Sequence, residues 1–193
     1  MKYPHWNYFL SLEKDFINTI RYVEIDDNNS GTSSVEYTKL LLSACSEIDV
    51  VCKLLCKKVD PESNANNIDE YKAILLGKYP NIYKIEIQIP RYEELIKPWA
   101  SWETNINPDW WRSYNKVKHQ RDIYAGEANQ ANTIMSLAGL FGLLLYYYQP
   151  EFYKQDLSPL PDLFEYENMP GYLIVNTVVE LPDFPRASSR KDS

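Results

Sequence analysis

The segment Asp109 to Arg121 reads DWWRSYNKVKHQR and sets Arg112, Asn115 and His119 at positions i, i+3 and i+7. On a helix these three share one narrow face across two turns. Their types suit work on a phosphodiester. Histidine titrates near neutrality and can give or take a proton. Arginine presents a rigid fork of donors matched to phosphate oxygens, and asparagine can orient a hydroxyl or a phosphate oxygen. Together they suit metal-independent cleavage of RNA, in which the ribose 2′-hydroxyl attacks the adjacent phosphorus. His119 would move a proton, and Arg112 would stabilise charge developing on phosphorus. One histidine is one proton-transfer group, while the reaction needs a base and an acid. A homodimer that brings two such helices together supplies the second.

The surrounding charge supports this chemistry. From Arg112 to Arg121 there are four Lys or Arg residues together with His119 and no acid, which makes Lys116, Lys118 and Arg121 candidate substrate-binding groups. The chain of 193 residues carries 20 Lys and Arg against 27 Asp and Glu, a net charge of -7. That balance excludes a generally basic nucleic-acid binder but leaves room for a local cationic site. The same residues also suit a non-catalytic surface that holds a nucleotide, RNA or a protein partner, or a solvated face with no role. Fourteen per cent aromatic residues, 16 of them Tyr, fit either contact surfaces or an aromatic core.

Several other chemistries are excluded. Six Gly leave no GxGxxG or Walker-type phosphate loop. Two histidines, His5 and His119, exclude the His-rich metal sites, so this reading uses no metal and no cofactor. Cys45, Cys52 and Cys56 form a stripe along one helix, bordering its apolar face. They read as buried reduced thiols, suited to the cytoplasm. The first ten residues lack the order of a signal peptide. Ile134 to Tyr148 is apolar but shorter than the roughly 20 residues of a spanning helix, so it reads as a buried core helix and no membrane partner is expected.

The elements that must position the motif follow from periodicity. Trp6 to Ile25 has helical spacing, and the run DDNNSGTSS stops it. Ser33 or Ser34 caps a second helix reaching about Lys58, with Leu41, Ala44, Ile48, Val51 and Leu55 on its apolar arc. Glu47 projects toward that arc, where a carboxylate is costly unless paired. Arg112 or His119 are its expected partners, either as a structural tether or to orient the site. A short helix spans Ile68 to Leu76, and Tyr83 to Ile89 alternates as a half-buried strand. Trp99 and Trp102 lie in a loop bracketed by Pro98 and Pro108. The motif helix runs from Asn107 or Pro108 to about Arg121. A fourth helix covers Glu127 to about Tyr148, with Gly139 and Gly142 admitting a close neighbour. Tyr172 to Leu181 reads as a strand able to pair with Tyr83 to Ile89.

Two segments, LLLSACSEIDVVCKLL (Leu40 to Leu55, with Glu47) and WWRSYNKVKHQR (Trp110 to Arg121), resemble the HEPN superfamily, the higher-eukaryote and prokaryote nucleotide-binding domain. The second is similar to that family's motif of Arg, four to six residues, then His; the gap here is six, and Ser113 follows the Arg where members often carry Asn or Asp. The resemblance covers about residues 5 to 150. It implies a mainly α, antiparallel HEPN-like helical bundle with a small accessory β element, dimerising through facing motif helices. It also implies, for many members, a ribonuclease of toxin–antitoxin or phage-defence systems, with an antitoxin protein as a further partner. Carried across, Arg112 and His119 would be the catalytic pair, supported by Asn115 and Glu47. The expected organisation is a bundle over 1–150 with an inserted short helix and strand at about 68–105. A C-terminal extension with a strand follows over 151–186, and then a flexible tail over 187–193.

Overall fold

A computed structural model describes residues 2–154 and 156–168. Helix α1 (Pro4–Ile20) starts on a proline in its first turn and buries Trp6, Phe9, Leu12 and Phe16 at helical spacing. It stops five residues short of the expected Ile25. The Tyr22 and Val23 N–H groups both close on the Thr19 carbonyl as a terminal turn, and beyond it the carbonyls of Val23 and Glu24 accept from the Gln130 side-chain amide at 3.1 and 3.0 Å. Helix α2 (Val35–Val59) begins where a serine cap was expected. The Ser34 hydroxyl accepts the Tyr37 N–H at 3.0 Å, with Glu36 in the first turn and Lys57 and Lys58 in the last. Its arc of Leu41, Ala44, Ile48, Val51 and Leu55 is fully buried.

All three cysteines are free and buried on α2. Burial pushes the Cys45 and Cys52 thiols well up and Cys56 to about 11. They are therefore protonated, packed hydrophobes at neutral pH. Helix α3 (Ile68–Lys78) is capped by Asn67, whose side chain accepts the Glu70 N–H at 3.1 Å.

A three-stranded antiparallel sheet stands beside the helices. Its strands are β1 (Glu86–Ile89), β2 (Glu94–Ile96) and β3 (Glu165–Asn168), in the order β2-β1-β3. Ile85, Ile87 and Ile89 are buried while Glu86 and Gln88 are partly exposed, the alternation read from the sequence. Glu93, at φ 54, turns the chain back between Pro90 and Pro98 so that β2 pairs with β1, a strand the sequence reading leaves unassigned. Ile87 faces Ile96 on one side and Tyr166 on the other. The expected strand over 172–181 and the tail over 187–193 lie outside the described residues.

Helix α4 (Asp109–Tyr124) carries the motif, and α5 (Gln130–Tyr147) is the apolar centre of the fold, packing most extensively on α2. Asn129 caps α5 by accepting the Asn132 N–H at 2.9 Å. Among the described residues no helix is long and apolar enough to cross a membrane. A Cβ placed on Gly139 would lie 3.1 Å from Trp110 Cζ2, and one on Gly142 would lie 3.2 Å from Ile85 Cδ1. These glycines therefore admit α4 and the strand region respectively. The protein is thus mainly helical, with a small antiparallel sheet.

The chain then returns to α1. After the short helix α6 (Gln149–Tyr153), Leu157, Leu163 and Phe164 are buried in the same core. The Trp6 indole N–H donates to the Pro159 carbonyl at 2.8 Å. Glu13, only 2% exposed, accepts the backbone N–H groups of Asp162, Leu163 and Phe164 at 3.0, 2.9 and 3.1 Å. This carboxylate fastens the segment that leads into β3. Burial nevertheless outweighs those three donors and holds its pKa above the ordinary glutamate value.

Three outcomes are expected. Gly139→Ala lowers stability by about 1 kcal/mol, because contact with a hydrogen-bonded, tightly packed Trp110 outweighs the helix-propensity gain; urea unfolding measures it. Glu13 contributes stability that is full below its unfolded pKa and is lost as pH rises through its folded one. Wild type therefore loses stability relative to Glu13→Gln as pH rises from about 4.5 toward neutrality. Glu13→Ala, which leaves three N–H groups without an acceptor, costs roughly 2 to 3 kcal/mol at neutral pH. Its loss of hydrogen-exchange protection is centred on Asp162 to Phe164.

Candidate functional site

The motif helix is held by its aromatic side, which leaves its polar side free. Trp110, Trp111, Tyr114 and Val117 are buried against the bundle. The Trp110 indole N–H donates to the Pro98 carbonyl at 2.9 Å, and the Trp99 indole donates to the Gly139 carbonyl at 3.1 Å. The loop before α4 is fixed by Lys72, whose side chain is nearly fully buried. It donates to Asp69 Oδ1 at 3.1 Å, the Asn105 carbonyl at 3.0 Å and Asn107 Oδ1 at 3.2 Å. Lys72 and Asn107 together hold the Asp69 carboxyl below its usual range.

On the free side, Arg112 and His119 are exposed and Asn115 is half-buried. Helical geometry separates Arg112 from His119 by about 10 Å along the axis. The Asn115 side-chain amide donates to the Trp111 carbonyl at 3.0 Å, leaving its Oδ1 as an acceptor. His119 has no hydrogen-bond or ion partner among the described residues. The helix breaks immediately after it, for Gln120 has φ -145 and ψ 56. Arg121 is exposed but lies beyond this break, so it does not continue the regular face.

Two carboxylates that the sequence reading did not place in the site now belong to it. Arg112 pairs with Asp109 one turn earlier. Lys116 donates to Glu127 Oε1 at 2.6 Å, and the Ser113 hydroxyl donates to Glu127 Oε2 at 2.6 Å. These donors hold the Glu127 carboxyl below its ordinary range. Asp109, Arg112, Ser113, Lys116 and Glu127 line a cleft of about 360 Å³. The Asp109 pairing was readable from its i, i+3 spacing. Glu127 arrives only because the chain turns at Gln120 and again at Ala125–Glu127. Lys118 has no acidic partner among the described residues; its ammonium lies 5.4 Å from the centre of the Tyr114 ring.

Glu47 is elsewhere engaged. Its Oε1 accepts from His5 Nδ1 at 2.5 Å, and both side chains are largely buried. The expected partners, Arg112 or His119, are replaced by the other histidine of the chain. The first turn of α1 crosses α2 at this level, and the His5 ring also meets Tyr147 edge-on. Glu47 therefore ties α1 to α2 and does not share a contact with the Arg112–His119 face.

Among the described residues no group of three His, Cys, Asp or Glu side chains could hold a metal ion. Comparisons with protein-family models, with curated proteins and with solved structures find no match.

The ion pair at Lys116 is partly exposed, and such pairs hold by about 0.2 to 1 kcal/mol. Glu127→Gln removes a negative charge beside Arg112 and Lys116, and is expected to raise the affinity of this face for an anionic probe, a short fluorescent polyphosphate, about two- to fivefold at low salt. Fluorescence anisotropy reads the change, which should shrink as ionic strength rises.

Proposed function

We propose that this protein is a HEPN-like, metal-independent endoribonuclease, acting as a homodimer in which two α4 faces meet. The observation that carries the reading is the face itself. Arg112, Asn115 and His119 stand in line on an outward side of α4, and the helix is fastened by its aromatic side. An RNA phosphate held by Arg112 would place the neighbouring 2′-hydroxyl within reach of a histidine. One His119 would take the 2′-proton as that oxygen bonds to phosphorus. The partner's His119 would protonate the departing 5′-oxygen, leaving a 2′,3′-cyclic phosphate and a free 5′-hydroxyl. Lys116, Lys118 and Arg121 would meet flanking phosphates. The three unpaired, buried thiols favour a cytoplasmic setting. Toxin–antitoxin or phage-defence roles, with an antitoxin as partner, fit such an activity.

A second reading has its own support. Asp109 and Glu127 already compensate Arg112 and Lys116. A face so neutralised suits a catalytically inactive module of the same fold that binds nucleotide, RNA or a protein partner.

Incubation of purified protein with RNA in excess EDTA separates the two. The nuclease reading expects cleavage that leaves cyclic-phosphate ends. His119→Ala should slow it by about 10² to 10⁴ while the fold and RNA affinity remain. Arg112→Ala should slow it by about 10² or more, with weaker binding. Binding without cleavage by wild type selects the inactive module, and unchanged cleavage by His119→Ala removes that residue from the mechanism.

A further inference from the structure

A second cleft, of about 420 Å³, opens on the other flank of α4, where α2 and the start of α3 form its remaining walls. That volume falls within the roughly 300 to 1,000 Å³ of small-molecule sites. Its lining has two parts. Ile68, Trp111 and Tyr114 are buried residues at its base, and most of the surface it exposes is polar. Around them stand Ser46, Asp49, Asn66, Asn115 and Lys118.

The hydrogen-bonding state of these groups limits what they can take. Asp49 is already committed, accepting the Tyr71 hydroxyl at 2.7 Å and the Lys53 ammonium at 2.5 Å. The Asp49–Lys53 pair is thus internally neutral. Three other polar groups are without a protein partner among the described residues: the Ser46 hydroxyl, the Asn66 side-chain NH₂ and Asn115 Oδ1. Lys118, with no ion pair among the described residues, adds a positive charge at the edge. Two aromatic side chains at the base, a mostly polar donor–acceptor rim and a cation at the edge match a nucleoside carrying one phosphate. Side-chain amides and hydroxyls pair with base or ribose edges, and an ammonium meets the phosphate. Asn115 belongs both to this cleft and to the Arg112–His119 face, so the two sites share a wall.

We propose that the cleft between α2 and α4 is a nucleotide-binding site that seats the nucleoside flanking the phosphate held on the α4 face. Its placement beside a scissile phosphate rests on the nuclease reading; its binding of a mononucleotide is independently measurable. The polar groups around Ser46 and Asn66 would then bias which base precedes or follows the cut.

The test titrates wild type with each of the four nucleoside 5′-monophosphates, with ribose 5-phosphate and with inorganic phosphate, followed by ¹H–¹⁵N NMR. The expected result is saturable shifts at Ser46, Asn66 and the Trp111 indole with at least one nucleotide, and not with inorganic phosphate. Ser46→Phe, at an exposed position on α2, fills the cleft. It should weaken that nucleotide at least tenfold and, in the RNA assay, raise KM with kcat retained. His119→Ala should bind the nucleotide as wild type does. Equal shifts with inorganic phosphate reduce the cleft to an anion site and overturn the proposal. Absence of nucleotide shifts, or undiminished binding by Ser46→Phe, overturns it even where RNA is cut. Nucleotide binding that Ser46→Phe abolishes, in a protein that cuts no RNA, upholds the cleft as a nucleotide site and removes the nuclease reading.

Discussion

The placement of the motif helix depends on the approach of the Trp110 ring to Gly139. At that point α5 has no side chain, so the indole edge reaches the helix backbone, and the contact admits no added methyl without displacement. The ring cannot turn freely, because its N–H is spent on the Pro98 carbonyl and it meets Trp99 edge-to-face at 5.1 Å between centres. Trp99 in turn donates to the carbonyl of Gly139 itself. Two buried indole donors, each needing an acceptor to avoid a penalty of about 1 to 3 kcal/mol, thereby lock the loop before α4, α4 and α5 into one unit. Helix α4 is held by what it buries. The opposite side makes only the local ties of Arg112 to Asp109 and of Ser113 and Lys116 to Glu127, and it carries Asn115 and His119 as well.

Charge is distributed around this frame in a way that residue counts do not reveal. The basic stretch from Arg112 to Arg121 is acid-free in sequence, yet Asp109 and Glu127 reach its first half in space. Toward the second half, Lys118, His119 and Arg121 have no acidic partner among the described residues. The pairs at Arg112 and Lys116 are exposed enough to be weak, so a phosphate, with more charge and more acceptor oxygens, can compete for them. Glu47 and Glu13 differ in kind. Both are largely removed from water and committed to partners that join distant segments: Glu47 to α1 through His5, Glu13 to three amides ahead of β3. Losing either contact would disturb packing before it touched the α4 face.

The two clefts beside α4 follow from the same arrangement. A helix seated on an aromatic ridge leaves a furrow on each flank, one bounded by the turn after its break and one by α2 and α3. Residues at i and i+4 share a helix flank, which is why Arg112 and Lys116 line one furrow while Trp111, Asn115 and Lys118 line the other. Asn115 lines the second furrow and also stands in line with Arg112 and His119 on the outward face of α4.

Local chemistry in the sequence determined the elements whose causes are local. The Ser34 cap, the buried arc of α2, the protonated thiols, the alternation of β1 and the close-packing role of Gly139 and Gly142 each follow from a few neighbouring residues, and so does the presence of Arg112, Asn115 and His119 on one helical face. Tertiary structure decided the matters that join distant segments. It decided that Glu47 meets His5, that Glu13 receives the amides of 162–164, that Glu127 neutralises Lys116, and that Glu94–Ile96 and Glu165–Asn168 flank β1. It also decided the break at Gln120, which removes Arg121 from the regular face. Periodicity records which side of an element is apolar. It does not record which carboxylate, 40 or 150 residues away, is brought opposite by the packing of that side.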